Sequence, residues 1–171
     1  MSGTRKLTYG DLKKLPADEQ WELINGIPYR KARPSFTHQN IMLELASQIR
    51  LFLRGKPGQV VTEPALWLAE MSDSASDYLL PDIAVVGDPK KIIADTGIVG
   101  APDLIIEVIS PENDYIDRHI KLRRYRLAGV KEYWIVDPQG FISVLTLFNN
   151  HYRIDSFSEG RVKVSIFDDL E

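Results

Sequence analysis

The feature that most constrains the fold is an apolar run at residues 104–109, which a single carboxylate, Glu107, interrupts. A continuous apolar segment of this length is typical of a central strand that is covered on both faces. A carboxylate in such a strand must be paired, protonated or bound to a metal ion, because burying its charge alone is very costly. Two interpretations are therefore open. Glu107 is either a structural residue, in a buried ion pair or at a strand end on the sheet rim, or part of a functional site.

A second acid, Asp82, opens another short apolar strand, which we predict at residues 81–86. If the two strands pair antiparallel, the start of one lies beside the end of the other, and Asp82 and Glu107 come together. Two carboxylates on adjacent strand ends suit Mg²⁺, which prefers oxygen ligands. Asp103 is a rival, but it precedes Glu107 in the same strand, at a backbone distance of about 13 Å. We therefore expect Asp103 to be a strand-start residue away from the pair.

The rest of the pattern predicts an α/β fold. Apolar residues that recur every three to four positions predict one helix at residues 35–54 and a second at 113–128. Strands and hairpins with Asn-Gly and Asn-Asn turns are predicted at residues 21–30, 60–68, 132–136 and 142–157. The order of these elements indicates a mixed sheet flanked by two main helices.

The second predicted helix carries a candidate cation. Asp117 and Lys121 share a face, beside an apolar stripe formed by Ile116, Ile120 and Leu127. From this margin the Lys121 ammonium can reach the two strand carboxylates and stabilise developing negative charge or orient a water. The other interpretation is an exposed ion pair between Asp117 and Lys121, and spacing alone favours it.

The roles of two further residues and of several basic side chains stay open. Glu22, in the first hairpin, is either an additional acid of the site or a cross-strand partner. His38 lies in the first turn of the first helix, where a capping or packing role is the commoner one. Basic residues at 30–33 and 118–131 could contact phosphates, although a solvated surface is the usual meaning of such charges.

Composition narrows the class of protein. The chain has 171 residues and no cysteine, which excludes disulfides, cysteine-ligated zinc and thiol nucleophiles. This length suits one domain spanning residues 1–171. No run approaches the roughly 18 apolar residues of a membrane span, and the first residues lack a signal peptide's apolar stretch, so we expect a soluble, cytoplasmic protein. A net charge of −3 is unusual for a protein that grips nucleic-acid backbone, but a site lined with carboxylates contributes negative charge itself.

Several motifs occur in a characteristic order along the chain. They are Trp21-Glu22-Leu23-Ile24-Asn25-Gly26, Ser35 with His38, Pro81-Asp82, the segment 100–111, then Asp117, Lys121 and Tyr125, and the segment 129–138. From about residue 9 to residue 148, this series resembles the Uma-type "putative restriction endonuclease" family, a bacterial domain of unknown function in the PD-(D/E)XK nuclease superfamily. The resemblance implies a restriction-endonuclease-like fold, with a central mixed β-sheet flanked by α-helices.

The resemblance also implies site residues. It assigns the superfamily's aspartate to Asp82 and its second acid to Glu107, with the carbonyl of Val108 as a further metal ligand. Glu22 matches an acid that recurs in the family. The superfamily's lysine should fall two residues after the glutamate, where this chain has Ile109. Families of this type supply the lysine from the following helix, which points to Lys121.

The function implied by the resemblance is that of a Mg²⁺- or Mn²⁺-dependent endonuclease that hydrolyses phosphodiester bonds in DNA. The alternative is a nucleic-acid-binding or regulatory module on the same fold with weak or absent catalysis. Ile109 at the lysine position and the acidic net charge favour this alternative. A hydrolase for another phosphate substrate is a third interpretation. Superfamily members often form dimers, so a homodimer is also left open.

Overall fold

A computed structural model describes residues 5–157, 164 and 166 of the chain. Its helices are α1 (Tyr9–Leu12), α2 (Phe36–Phe52), a 3₁₀ turn (Pro89–Lys91), a π-helix (Ile116–Lys121) and α3 (Leu122–Ala128). The strands are β1 (Trp21–Ile24), β2 (Ile27–Arg30), β3 (Gln59–Thr62), β4 (Leu66–Trp67), β5 (Ile83–Val86), β6 (Ile92–Ile93), β7 (Gly97–Val99), β8 (Leu104–Val108), β9 (Glu132–Val136), β10 (Ile142–Phe148) and β11 (His151–Phe157).

The main sheet has six strands in the order β11-β10-β9-β8-β5-β3. Strands β8 and β9 run parallel, and the other neighbours run antiparallel. The parallel pair needs a crossover connection, which the π-helix and α3 supply. Strands β1 and β2 form a separate hairpin, and β4, β7 and β6 form a small sheet. The predicted mixed α/β architecture is therefore confirmed.

The main sheet is covered on both faces. Alternation along β5 and β8 directs Ile83 and Ile106 to the face where Ile49 of α2 packs. Ala84 and Ile105 point to the other face, together with Tyr125 of α3. By the same alternation, the acids at positions 82 and 107 belong to the α3 face. The crossover therefore covers the end of the sheet where the predicted acids lie.

The two predicted hairpins form around residues with left-handed backbone. Asn25 and Gly26 have φ angles of 51° and 77°, and Asn149 and Asn150 have φ angles of 48° and 62°. Two consecutive positive φ angles are the requirement of a type I′ turn, whose twist matches the flanking strands. The first hairpin is tied to the rest of the molecule by backbone hydrogen bonds between Leu23 and Tyr78, and this places β1 beside the segment that leads into β5.

The strand predicted at residues 60–68 is wrong in its extent. It is two strands in different sheets, β3 in the main sheet and β4 in the small one. Glu63, between them, has a φ angle of 46°, which interrupts the extended backbone. Pro64, in the middle of the predicted strand, is a sign of this break, because proline cannot donate to the hydrogen-bond ladder of a sheet.

The second long helix also departs from its prediction. Its central part, Ile116–Lys121, is a π-helix with hydrogen bonds between residues five apart, and it continues directly into α3. The wider turn changes which side chains face inward, so Leu127 is exposed although regular spacing placed it on the buried stripe. π-Helical turns are rare and are frequent at functional sites. None of the described helices is long and apolar enough to cross a membrane.

Candidate active site

Asp82 and Glu107 meet where β5 begins and β8 ends. The two strands are antiparallel, with Ile83 opposite Ile106, so the next pair in the register is Asp82 and Glu107. The backbone N–H of Asp82 donates to Glu107 Oε2 at 3.4 Å, and that of Val108 donates to Asp82 Oδ2 at 2.8 Å. The structure thus brings together the two acids that the sequence singled out.

Lys121 points into the protein and contacts three carboxylates. Its Nζ lies 3.0 Å from Glu107 Oε1, 3.0 Å from Glu22 Oε1 and 3.3 Å from Asp117 Oδ1. The Tyr125 hydroxyl donates a second hydrogen bond to Glu107 Oε1, at 2.9 Å. All five side chains are buried. The exposed Asp117–Lys121 pair that spacing favoured is therefore wrong, because the π-helix turns both residues inward.

Asp82 has its own cation and a histidine. Lys31 Nζ lies 3.0 Å from Asp82 Oδ1 and donates to the carbonyl of Leu80 at 2.7 Å. His38 Nε2 lies 3.0 Å from Asp82 Oδ2. Sequence reasoning gave Lys31 no role beyond a phosphate contact and left His38 open. His38 lies in the first turn of α2, which is a common place for a capping residue, so its sequence position does not indicate a site role. The same turn faces Asp82 in the structure.

Glu22 reaches the site from the first hairpin. Its Oε1 accepts a hydrogen bond from the backbone N–H of Leu80 at 2.8 Å, besides its contact with Lys121. Glu22 lies opposite Tyr29 in the hairpin, but its carboxylate contacts Leu80 and Lys121. It connects β1, the segment before β5 and the π-helix, and this fixes the position of the ammonium.

Asp103 lies at the opposite end of β8. Its carboxylate accepts hydrogen bonds from Lys131 Nζ and from the backbone N–H of Gly87, both at 2.7 Å. It is thus a strand-start residue, as predicted, and takes no part in the cluster. Arg118, on the π-helix, is partly exposed and pairs with Asp114 at 2.6 Å.

Burial and shared charge set the protonation of the acids around Lys121. Burial raises the pKa of Glu107 to about 8, although the Lys121 charge opposes this. Burial likewise raises the pKa of Asp117 to about 6, against the same charge. Burial acts to lower the pKa of Lys121, but Glu107 and the other acids outweigh it and raise that pKa well above its ordinary value. One permanent ammonium thus faces more carboxylates than it can neutralise.

Asp82 behaves in the opposite way. Burial acts to raise its pKa, but the hydrogen bond with His38 and the charge of Lys31 outweigh burial and lower the pKa to about 2. Asp82 is therefore ionised at every physiological pH. The pKa values of Asp82 and Glu107 differ in direction because Lys31 and His38 both contact the Asp82 carboxylate.

The cluster contains more acidic than basic side chains. Four buried carboxylates face two ammonium groups, so two negative charges remain when all the acids are ionised and His38 is neutral. A cavity of about 20 Å³ lies among these side chains, which is room for about one water molecule or ion. Carboxylate oxygens are the ligands that Mg²⁺ and Mn²⁺ prefer. Among the described residues no three acidic or histidine side chains already form a chelating group, because lysines lie between the acids.

Comparisons with known proteins agree with this architecture. The model of the Uma2 family, described as "Putative restriction endonuclease", matches residues 8–171. Among solved structures, the fold is similar to that of a chain from Anabaena variabilis, described as a "putative nuclease belonging to DUF820". That match has a TM-score of 0.74 and 21% sequence identity, and covers 94% of this chain and 90% of the other. A comparison with curated proteins finds no match.

Proposed function

The chain belongs to the Uma2 family, described as "Putative restriction endonuclease", and we propose that it is a metal-dependent endonuclease that hydrolyses phosphodiester bonds in DNA. The observation that carries this proposal is the contact of Asp82 and Glu107 at the ends of adjacent central strands, with the Lys121 ammonium 3.0 Å from Glu107. Two acids from neighbouring strands can hold a divalent cation, which supports a role in metal-assisted phosphate hydrolysis.

We assign Mg²⁺ or Mn²⁺ to Asp82, Glu107 and the carbonyl of Val108. These residues would hold the ion, and a divalent cation bound there would supply Lewis-acid chemistry for a phosphate and a water. The excess of carboxylates over ammonium groups and the cavity of about 20 Å³ support the assignment. Glu107 Oε2 has only a long contact of 3.4 Å with a backbone N–H, which leaves this oxygen available to an ion.

Lys121 supplies a fixed positive charge in the proposed mechanism. The acids around it raise its pKa well above the ordinary value, so it stays protonated and does not serve as a base. An ammonium held in a buried position stabilises the negative charge that develops on the phosphate. Glu22 and Glu107, each 3.0 Å from Nζ, keep this charge in place.

Lys31 and His38 orient Asp82. They contact different oxygens of its carboxylate, each at 3.0 Å. Since they also lower its pKa to about 2, Asp82 is always in the charged form that a metal ion requires.

Cleavage of nucleic acid tests the proposal directly. The purified protein is incubated with supercoiled plasmid, single-stranded DNA and RNA, with Mg²⁺, Mn²⁺ or EDTA. We expect metal-dependent cleavage of DNA that is lost in Asp82→Asn and Glu107→Gln and kept in Asp103→Asn, a matched acid at the opposite end of β8. Absence of cleavage by the wild type with every metal and substrate contradicts the proposal.

A binding module without catalysis is the second candidate. It is favoured by the pairing of the site acids with buried lysines, because a closed network of this kind can serve stability alone. Such a module binds DNA with the same affinity in EDTA and in Mg²⁺, and cleaves none. The same set of incubations, followed by a gel-shift measurement, separates the two functions.

A further inference from the structure

Asp117 lies beside the proposed metal residues but has no part in the function described so far. Its carboxylate is buried and lines the cavity that Asp82 and Glu107 also line. We propose that Asp117 is a third carboxylate ligand of the divalent cation, an inference that rests on the proposed nuclease function. It extends the metal site from the two strands to the crossover that covers them.

The first observation is an unsatisfied oxygen. Asp117 Oδ1 is shielded from solvent and receives no hydrogen bond. The Lys121 ammonium lies 3.3 Å away, which is an ionic contact without the geometry of a hydrogen bond. Buried carboxylate oxygens are nearly always hydrogen-bonded or bound to a cation. Asp117 Oδ1 is therefore available to a cation, as Glu107 Oε2 is.

The second observation is that Lys121 does not depend on Asp117. The ammonium has two closer carboxylates, Glu22 and Glu107, each at 3.0 Å. Asp117 is therefore a buried acid that Lys121 does not need as a partner. A buried charge without a close partner destabilises the fold, and a functional role would explain why it is present.

The third observation concerns the backbone. Asp117 lies in the π-helix Ile116–Lys121, whose wider turn directs it inward. The Tyr133 hydroxyl donates to the Asp117 carbonyl at 3.1 Å, which anchors this turn to β9. A rare and locally costly helix turn that positions one acid at a cavity is the arrangement expected of a ligand-binding side chain.

A thiolate substitution tests the contact independently of activity. The chain has no cysteine, so Asp117→Cys introduces a single thiol. If position 117 touches the ion, Co²⁺ should produce a thiolate-to-cobalt charge-transfer absorption in the near ultraviolet, because the thiolate is a metal ligand. Asp114→Cys, one turn earlier at a partly exposed acid that pairs with Arg118, is the matched control and should give no such band. A band in neither variant, with Co²⁺ bound to both, overturns the inference.

Metal affinity provides the second measurement. Mn²⁺ binding is followed by calorimetry on the folded wild type, Asp117→Asn and Asp114→Asn. We expect Asp117→Asn to weaken Mn²⁺ binding by roughly 10-fold or more, and Asp114→Asn to bind as the wild type does. The same loss in a Lys121→Met background shows that Asp117 acts on the ion and not through the lysine.

The outcomes separate this inference from the proposed function. Equal Mn²⁺ affinity in Asp117→Asn and the wild type, with binding lost in Asp82→Asn, overturns the role of Asp117 and leaves the nuclease proposal standing. A wild type that binds no Mn²⁺ overturns both.

Discussion

The Lys121 ammonium lies 3.0 Å from the Glu107 carboxylate, although the glutamate belongs to β8 and the lysine to the π-helix that follows it. The crossover that connects the parallel strands β8 and β9 therefore places a cation beside the end of β8. Ile109, the strand position where a cation would otherwise be expected, packs into the hydrophobic core. The helix thus supplies the charge that the strand does not carry.

Replacing Lys121 by methionine should separate catalysis from metal binding. The substitution keeps most of the side chain's volume and removes the charge. We expect the rate of Mg²⁺-dependent DNA cleavage to fall by roughly 100-fold or more, the scale of losing one charge-stabilising group. Mn²⁺ binding should persist, since the competing ammonium is gone from among the acids. Cleavage kinetics and calorimetry measure the two effects.

The control for this variant is Arg118→Met on the same π-helix. Arg118 is partly exposed and pairs with Asp114, away from the cavity, and surface ion pairs contribute little. Its cleavage rate should stay near that of the wild type. Equal rates for the wild type and both variants would remove Lys121 from the mechanism.

Much of the fold could be predicted from patterns that depend on local chemistry. The apolar run around Glu107, the Pro81-Asp82 strand start and the Asn-Gly turn each predict a local structure, and the resemblance to a family adds the central mixed sheet flanked by helices. Antiparallel pairing of the two strands then makes Asp82 and Glu107 neighbours. These residues were found because an acid beside an apolar strand is conspicuous.

The remaining site residues have ambiguous local signals, and only the resemblance to a family pointed to Lys121 and Glu22. Asp117 and Lys121 have the spacing of an exposed helical pair, and only the π-helix turns them inward. Lys31 follows an edge hairpin among other basic residues, and His38 has the position of a capping residue. Their roles arise from how the hairpin and α2 are placed against the sheet, which is information that local patterns do not contain.

Divalent cations should stabilise the wild type through Asp82. A ligand that binds only the folded state raises the melting temperature, by an amount that increases with its concentration. We expect Mg²⁺ and Mn²⁺ to raise the melting temperature of the wild type, and Asp82→Asn to lose most of this shift. Asp103→Asn, at the far end of β8, should retain it. An identical shift in all three proteins would place the ion elsewhere.

The stability of the metal-free protein should fall as the pH rises from about 4.5 to about 8. In the unfolded chain the Glu107 carboxyl has its ordinary pKa of 4.5, whereas burial in the folded protein raises that pKa to about 8. The folded state therefore binds more protons in this window, and stability is lost as they leave. Melting temperatures measured in EDTA across this range should show the decrease.

Glu107→Gln is the variant that isolates this effect. It cannot ionise, so most of the decrease between pH 4.5 and 8 should disappear. Glu112→Gln, a change at an exposed acid, should keep the wild-type profile. A pH profile that is the same in all three proteins would mean that Glu107 does not hold its proton in the folded state.

Replacing Tyr125 by phenylalanine should shift the protonation of Glu107 without disturbing the core. The Tyr125 hydroxyl donates to Glu107 Oε1 at 2.9 Å, while its ring packs edge-on against Tyr133. Phenylalanine keeps the ring and removes a donor that favours the ionised carboxylate, so the pKa of Glu107 should rise further. The decline in stability in EDTA should then extend to a higher pH, with a general loss of about 1 kcal/mol in the free energy of unfolding.

Tyr152→Phe is the matched control, since that hydroxyl donates to the Val130 carbonyl at 2.9 Å. It should cost a similar stability in urea unfolding and leave the pH profile unchanged, so equal profiles for the two variants would show that Tyr125 does not act on Glu107.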